Sequence, residues 1–329
     1  MKIVRAPLRI TLGGGGTDLP GWYRKNGGFL ICAAIDKYIY ATGSKRIYDD
    51  KIWLSYSKVE VCNSISEIKN KLFKKCLEKF DIPRGLELHS ISELPGNTGC
   101  GSSGALLVAT LKLLSLMERR SLVTKDLAEM ACHIEMLDLG HSSGKQDQYV
   151  SAFGGIISLE INTEGEVIVT PLKLSNITKK HLNHNLMFYY SGISREANEI
   201  LKEQNQDIAG RNKPAMKAMQ RIQEIGYESK KLLESGGLDE FGCLLHEHWE
   251  LKKSMSNMMS TSFIDEIYKF AMDQGALGGK VMGAGGGGFF MFYVPAEKHN
   301  GFRKSMQRRN LKEMDWQFDH SGVTQVYTI

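Results

Sequence analysis

Three glycine-rich runs, widely separated in a chain of 329 residues, constrain its fold more than any other feature. The first, Gly13-Gly14-Gly15-Gly16-Thr17-Asp18, follows residues 3 to 12, where Val4, Ala6, Leu8, Ile10 and Leu12 alternate with Arg5, Pro7, Arg9 and Thr11. That period of two predicts a half-buried strand. The glycines after it allow turns closed to other residues and a close approach of backbone to ligand. The second run, Pro95-Gly96-Asn97-Thr98-Gly99-Cys100-Gly101-Ser102-Ser103-Gly104, joins an extended stretch, Leu86 to Leu94, to the apolar run Ala105 to Met117. Strand, glycine-serine loop, helix is an anion-binding arrangement, because the loop and the helix N-terminus present N–H groups without intrahelical partners. The third run, Gly283 to Gly288, lies between a predicted helix and the apolar strand Phe289 to Val294.

Between these runs the pattern is mixed. Phe29 to Thr42 is extended, and Thr124 is placed to cap a helix with Leu127, Met130, Ile134 and Leu137 on one stripe, ended by Gly140. Ser143 and Gln146 have the spacing of a capping box opening a short helix that carries Asp147. Gly154-Gly155 lead into Ile156 to Ile161, and Asn162 to Gly165 form a hairpin turn into Glu166 to Thr170. A first domain is expected to close near residue 180. The remainder starts with the strand Leu186 to Tyr190, is helical between about 195 and 275, returns to strand, and ends with a helix and the stretch Trp316 to Ile329. This predicts an α+β chain of two domains, 1–180 and 181–329, sharing a cleft.

Several classes are excluded. The net charge of +5 is scattered rather than gathered in basic blocks, which argues against a nucleic-acid surface and is compatible with a small anionic substrate. The six cysteines form no C-x-x-C pair and no zinc spacing, so they are expected as reduced, mostly buried thiols. Met1 to Pro7 lacks the apolar core of a signal peptide, and Ala105 to Met117, interrupted by Lys112, is too short to cross a bilayer. A cytoplasmic protein without a membrane partner is expected. Neither Gly13 to Gly16 nor the middle loop gives a dinucleotide-binding G-x-G-x-x-G with a following acidic residue in a β-α-β unit.

The three runs, in this order, resemble the GHMP kinases, the superfamily of galactokinase, homoserine kinase and mevalonate kinase. The resemblance spans almost the whole chain. Within it, Ala6-Pro7-Leu8-Arg9 followed by Gly13 to Pro20 is most similar to the heptose 7-phosphate kinase branch of bacterial surface-polysaccharide synthesis. It implies a ribosomal-protein-S5-like N-terminal domain, a ferredoxin-like C-terminal domain, and ATP and Mg2+ as cofactors. Pro95 to Gly104 match the family's phosphate-binding loop, with Cys100 where leucine is usual and Gly104 where alanine is usual. No Walker lysine follows. Ser102 and Ser103 would offer hydroxyls to phosphate and magnesium, and Gly285 and Gly286 of the third run would lie beside the nucleotide.

By the same resemblance, Arg9 points toward the transferred phosphoryl group, Asp147 is the catalytic aspartate, and Glu135 ligates magnesium. Gly16, Thr17 and Asp18 face the sugar, and His141, Lys145 and Arg195 are further substrate candidates. Each has a plainer alternative: a solvated strand arginine, a turn-forming aspartate, a helix-surface glutamate or an exposed lysine. If the substrate already carries a phosphate, a second basic pocket is required, with Lys58, Arg195 and Lys145 as candidates. His246 is expected to be structural, and Trp53 and Tyr56 either flank the adenine or belong to the core. The implied reaction is conversion of a heptose 7-phosphate to its 1,7-bisphosphate. A hexose 1-kinase and a non-catalytic sugar or nucleotide sensor are the alternatives, and a homodimer is compatible with the sequence.

Overall fold

The computed structural model describes residues 1–193, 201–205, 208, 212–256 and 258–328. Its first layer is an eight-stranded sheet formed by β1 (Lys2–Gly13), β2 (Gly28–Lys45), β3 (Ile52–Ser55), β4 (Val59–Cys62), β5 (Leu86–Ser92), β6 (Ile156–Ile161), β7 (Val167–Pro171) and β12 (Thr324–Thr328). The order is β12-β1-β2-β5-β3-β4, with β6 joined to β2 and β7. The 18-residue β2 pairs with β1 along one edge and, along the other, through Gly28 to Ala33 with β6 and through Ile39 to Lys45 with β5.

Helices cover this sheet and explain why β1 is not half-buried, as its alternation suggested. From Ala6 onward every residue of β1 is buried, Arg9 and Thr11 included. On it pack α3 (Ser102–Met117) and α5 (Gln146–Phe153) from the first half of the chain and α7 (Lys213–Ser235) from the second. Helix α3 is apolar almost all round and therefore buried, as its composition required. The other helices of this half are α1 (Pro20–Asn26), α2 (Lys71–Phe80), α4 (Thr124–His133) and α6 (Asn176–Asn185).

The second layer is a four-stranded antiparallel sheet of β8 (Leu186–Tyr190), β9 (Gly278–Val281), β10 (Phe289–Tyr293) and β11 (Lys312–Met314), ordered β11-β8-β10-β9. Helices α7, α8 (Leu238–Met255) and α9 (Ser262–Asp273) lie between β8 and β9 in sequence, and α10 (His299–Arg308) between β10 and β11. Strand, helices, two strands, helix, strand in this spatial order is a ferredoxin-like unit. The chain is thus α+β with two sheets.

Three local expectations are corrected. Val123, not Thr124, occupies the cap position of α4, with no side-chain hydrogen bond. The capping box at Ser143 is absent: α5 begins after Lys145, and the Gln146 N–H donates to Asp18 Oδ2 at 3.1 Å, so the cap comes from a distant carboxylate. Trp316 to Ile329 does not stay with the second sheet, because β12 leaves it to pair antiparallel with β1. The six cysteines are all free, and only Cys243 is exposed. Among the described residues no helix is long and apolar enough to cross a membrane.

Candidate active site

A cavity of about 380 Å³ opens where the first glycine turn, the N-terminus of α3, the segment 135–147 and one face of the second layer meet. Arg9 enters it from the middle of β1. Its main-chain N–H donates to Cys100 O at 3.0 Å, which fastens the strand to the second glycine loop. The guanidinium donates through Nε to Asp147 Oδ1 at 2.7 Å and through Nη1 to Gly99 O. Burial opposes this charge, but the Asp147 carboxylate outweighs it and holds the Arg9 pKa above its ordinary value. Arg9 is therefore a fixed cation aimed by a carboxylate and a loop carbonyl.

Asp147 stands in the first turn of α5, where the helix dipole favours a negative side chain. The departure at Gly104 is explained by the same contact. A Cβ at Gly104 would lie 2.6 Å from Asp147 Cβ and 3.1 Å from its carbonyl carbon, so the missing side chain lets α5 seat against α3. With Oδ1 engaged by Arg9, Oδ2 remains for a ligand.

Asp18 is fully buried. Its Oδ1 accepts from Gly16 N and Gln146 Nε2, each at 3.3 Å, and Oδ2 accepts from Gln146 N. Gln146 is oriented in turn by Thr11, whose hydroxyl donates to Gln146 Oε1 at 2.6 Å. Burial pushes the Asp18 carboxyl up, Asp147 adds to the rise, and the Gln146 N–H restrains it. Gly16 and Asp18 line the cavity, whereas Thr17 does not. The Thr17 hydroxyl is spent on Gly14 O (2.8 Å) and Phe29 O (2.9 Å), locking the glycine turn onto β2. Its expected contact with substrate is corrected to a structural one.

Helix α4 runs into a π turn, Ile134–Asp138, that carries Glu135 inward and ends at Gly140 in a left-handed conformation (φ 67°). Glu135 is buried, not on a helix surface. Its Oε2 accepts from Gln148 Nε2 at 2.5 Å, and Oε1 lies 3.8 Å from His141 Nδ1. Glu135, His141 and Ser103 all line the cavity.

The second glycine loop divides its work. Asn97, Gly99, Gly101, Ser102 and Ser103 face the cavity. Helix α3 starts after Gly101, which is left-handed (φ 77°), and no side chain caps its N-terminus, so its first N–H groups remain for an anion. Pro95, Gly96, Thr98, Cys100 and Gly104 do not line the cavity. The Thr98 hydroxyl donates to Pro95 O at 2.9 Å, and Cys100 is buried beneath the loop. The third run braces the second: a Cβ at Gly283 would meet Gly99 Cα at 2.6 Å, and Phe289 N donates to Thr98 O at 3.4 Å. Gly283 and Ala284 reach the cavity, while Gly285 and Gly286 do not, the Gly286 N–H being used by Met259 O at 2.8 Å.

Other expected residues lie elsewhere. Lys145 is buried and turned from the cavity, its ammonium held by Glu129 at 2.9 Å and by Gly165 O at 2.5 Å, so it is not placed to bind substrate. Lys58 is exposed in the β3–β4 turn. His246 bonds Tyr268 (2.8 Å), Tyr56 donates to Glu60 (2.6 Å), and Trp53 stacks under Arg46; none of the three lines the cavity. Arg195 lies outside the described residues.

Three basic cavity residues were not anticipated: His248 and Lys252 of α8, and Lys280 of β9. All are buried. Burial, then Arg9, lowers the Lys252 pKa to about 8, and burial, Lys252 and Arg9 push Lys280 well below its usual range. His248 is likewise pushed well down, by burial first and then by the two lysines. A signal for two of them was present. Phe241, Leu245, His248, Lys252 and Met255 fall at intervals of four, three, four and three, which is the buried stripe of a helix.

Residues 66–155 match the model of the GHMP kinases N terminal domain, and residues 229–309 that of the GHMP kinases C terminal. Over 98% of both chains the sequence is 32% identical to a D-glycero-alpha-D-manno-heptose 7-phosphate kinase of Campylobacter jejuni. A crystal structure titled a D-glycero-D-manno-heptose 1-phosphate kinase from Bacteroides thetaiotaomicron superposes with a TM-score of 0.83 at 26% identity, covering 100% of both chains. A putative sugar kinase from Campylobacter jejuni gives a TM-score of 0.79 at 30% identity, covering 99% of this chain and 98% of the other.

Proposed function

The chain belongs to the GHMP kinases, ATP-dependent phosphotransferases that use an alcohol group as acceptor, and from that premise we propose that it phosphorylates the anomeric hydroxyl of a heptose 7-phosphate to give the 1,7-bisphosphate. The observation that carries this is the Arg9–Asp147 pair, 2.7 Å apart, beside the buried Asp18 in a cavity that also holds the anion-binding end of α3. In the proposed reaction Asp18 accepts hydrogen bonds from sugar hydroxyls and fixes the ring. Asp147 Oδ2 receives the proton of the attacking hydroxyl. The sugar oxygen forms its bond to the γ-phosphorus as the bond from that phosphorus to the β–γ bridging oxygen breaks, and ADP leaves. Arg9 stabilises the charge spread over the transferred group. An anomeric hydroxyl is more acidic than the others and asks less of a carboxylate base.

The names of the relatives differ over which carbon already carries phosphate, and the acidity argument favours C1 as the new site. The product would serve nucleotide-heptose and surface-polysaccharide synthesis, and dependence on ATP suits a cytoplasmic location. The cleft lies between the proposed domains 1–180 and 181–329. Coupled ADP release over hexoses, phosphorylated sugars, homoserine and mevalonate tests the acceptor. Preferential turnover of an unphosphorylated hexose would replace this reading with a hexose 1-kinase, and ATP binding without turnover of any acceptor would leave a sensor.

Magnesium fits the residues present. Among the described residues no three His, Cys, Asp or Glu side chains converge on a cation, but magnesium is commonly held by one or two carboxylates with phosphates and water, which Glu135 and the Ser103 hydroxyl could complete. Bound there, the ion would supply positive charge to offset that of the phosphates. Glu135→Gln and Ser103→Ala are each expected to raise the magnesium concentration giving half-maximal rate; an unchanged magnesium dependence in both would assign these residues to structure.

A further inference from the structure

Burying basic groups without a partnering anion is costly, and this cavity holds three of them. Lys252 makes its only hydrogen bond among the described residues to a carbonyl, Gly283 O at 2.8 Å. Lys280 is 4% exposed and forms no salt bridge among the described residues. His248 is fully buried, and neither ring nitrogen makes a hydrogen bond of ordinary geometry there. Of the five basic cavity residues, Arg9 has Asp147 and His141 has Glu135 at 3.8 Å, whereas Lys252, Lys280 and His248 have no carboxylate partner among the described residues. Three basic side chains share one wall, where both lysines disfavour a charge on His248 and Lys252 disfavours one on Lys280. A protein interior keeps such a cluster at a cost in stability, and the cost is recovered when an anion fills it.

The cluster belongs to the acceptor end of the cavity. A Cβ at Gly15, in the turn that carries Asp18, would lie 3.8 Å from His248 Cε1. Asp18 is also the acidic neighbour that Lys252 feels. The nucleotide's phosphates have their own seat in the loop 97–103 and the N-terminus of α3. We propose that Lys252, Lys280 and His248 form the subsite for a phosphate the acceptor sugar already carries, and thereby select a phosphorylated sugar over a neutral one. This rests on the acceptor being a sugar phosphate. It replaces Lys58 and Lys145, one exposed and the other tied to Glu129, as the second basic pocket. Two ammonium groups and an imidazole N–H suit a phosphate dianion, each charged hydrogen bond contributing appreciably once water is excluded.

The test is titration calorimetry of the full chain, wild type against Lys280→Met, Lys252→Met and His248→Gln, with three probes: a heptose 7-phosphate, the same heptose without phosphate, and a non-hydrolysable ATP analogue. Each lysine variant is expected to weaken the phosphorylated heptose by about tenfold or more, leaving the dephosphorylated heptose and the analogue within about twofold. Melting of unliganded Lys280→Met is expected at or above the wild-type temperature, because a basic group buried without a partner is removed. That separates loss of binding from loss of fold. Weakened analogue binding with unchanged sugar phosphate would assign the cluster to the nucleotide and overturn the proposal. So would unchanged binding of all three probes in every variant, or a wild type that binds both heptoses equally. If the wild type binds the heptose 7-phosphate through these lysines yet does not phosphorylate it, the subsite stands and the proposed reaction falls.

Discussion

Asp147→Asn is expected to lower turnover by at least about a hundredfold while leaving affinity for ATP close to that of the wild type. Asparagine keeps the shape of the side chain but offers no proton acceptor of comparable basicity. It also withdraws the charge that Arg9 leans on across 2.7 Å. The phosphate seat is built from other elements, the loop at residues 97–103 and the uncapped end of α3, so nucleotide affinity should survive. Steady-state rates together with binding of an ATP analogue check both halves. Near-normal turnover would remove Asp147 from the chemistry, and a parallel loss of nucleotide affinity would show that the substitution had disturbed the loop.

Arg9→Met is expected to cost more, on the order of a thousandfold in kcat, because it removes the fixed positive charge facing the transferred group. Part of its effect will be structural. The Arg9 guanidinium holds both Asp147 and Gly99 O, so its loss frees the catalytic carboxylate and one end of the phosphate loop together. Asp147 is partly exposed, with 24% of its side-chain surface accessible, so water can take up some of the lost partnership. The double variant with Asp147→Asn distinguishes the contributions. If the two residues act as a unit, its turnover will be about that of the worse single variant rather than the product of the two losses, and its melting temperature will recover part of the loss caused by Arg9→Met. Multiplicative losses would mean that the pair acts through separate steps.

The glycine runs made the active-site framework legible because their requirement is one of backbone. Gly283 and Gly99 touch with no room for a side chain, and Gly104 is bare where α5 crosses α3. Such demands are written directly in residue type. Arg9, Asp18, Glu135 and Asp147 were legible through the family positions they match, and the structure brings all four to one cavity. Polar residues near a motif were harder to place, since sequence proximity does not fix direction. Thr17 adjoins Asp18 but turns inward to Phe29 O, and Lys145 lies two residues from Asp147 but reaches back to Glu129.

What stayed hidden depends on distant partners. The path of β12 to β1 joins the two ends of the chain, and strand pairing at that separation leaves no local mark. Ser143 has the spacing of a cap, but the N–H it would take is satisfied by Asp18, 128 residues from Gln146. Lys252 and His248 sit on a helical stripe whose other members are apolar, where a lysine is ordinarily taken as a solvated edge. Only the closing of α8 over the first glycine turn shows that this stripe faces a polar cavity.

Phosphorus NMR of the product formed from ATP and a heptose 7-phosphate tests the central claim most directly. The account predicts two sugar-bound phosphorus resonances, the new one coupled to the anomeric proton, as transfer to the oxygen presented by Asp18 to Asp147 and Arg9 requires. A new resonance coupled to any other sugar proton, or no new sugar phosphate when an unphosphorylated hexose is readily converted, would contradict it.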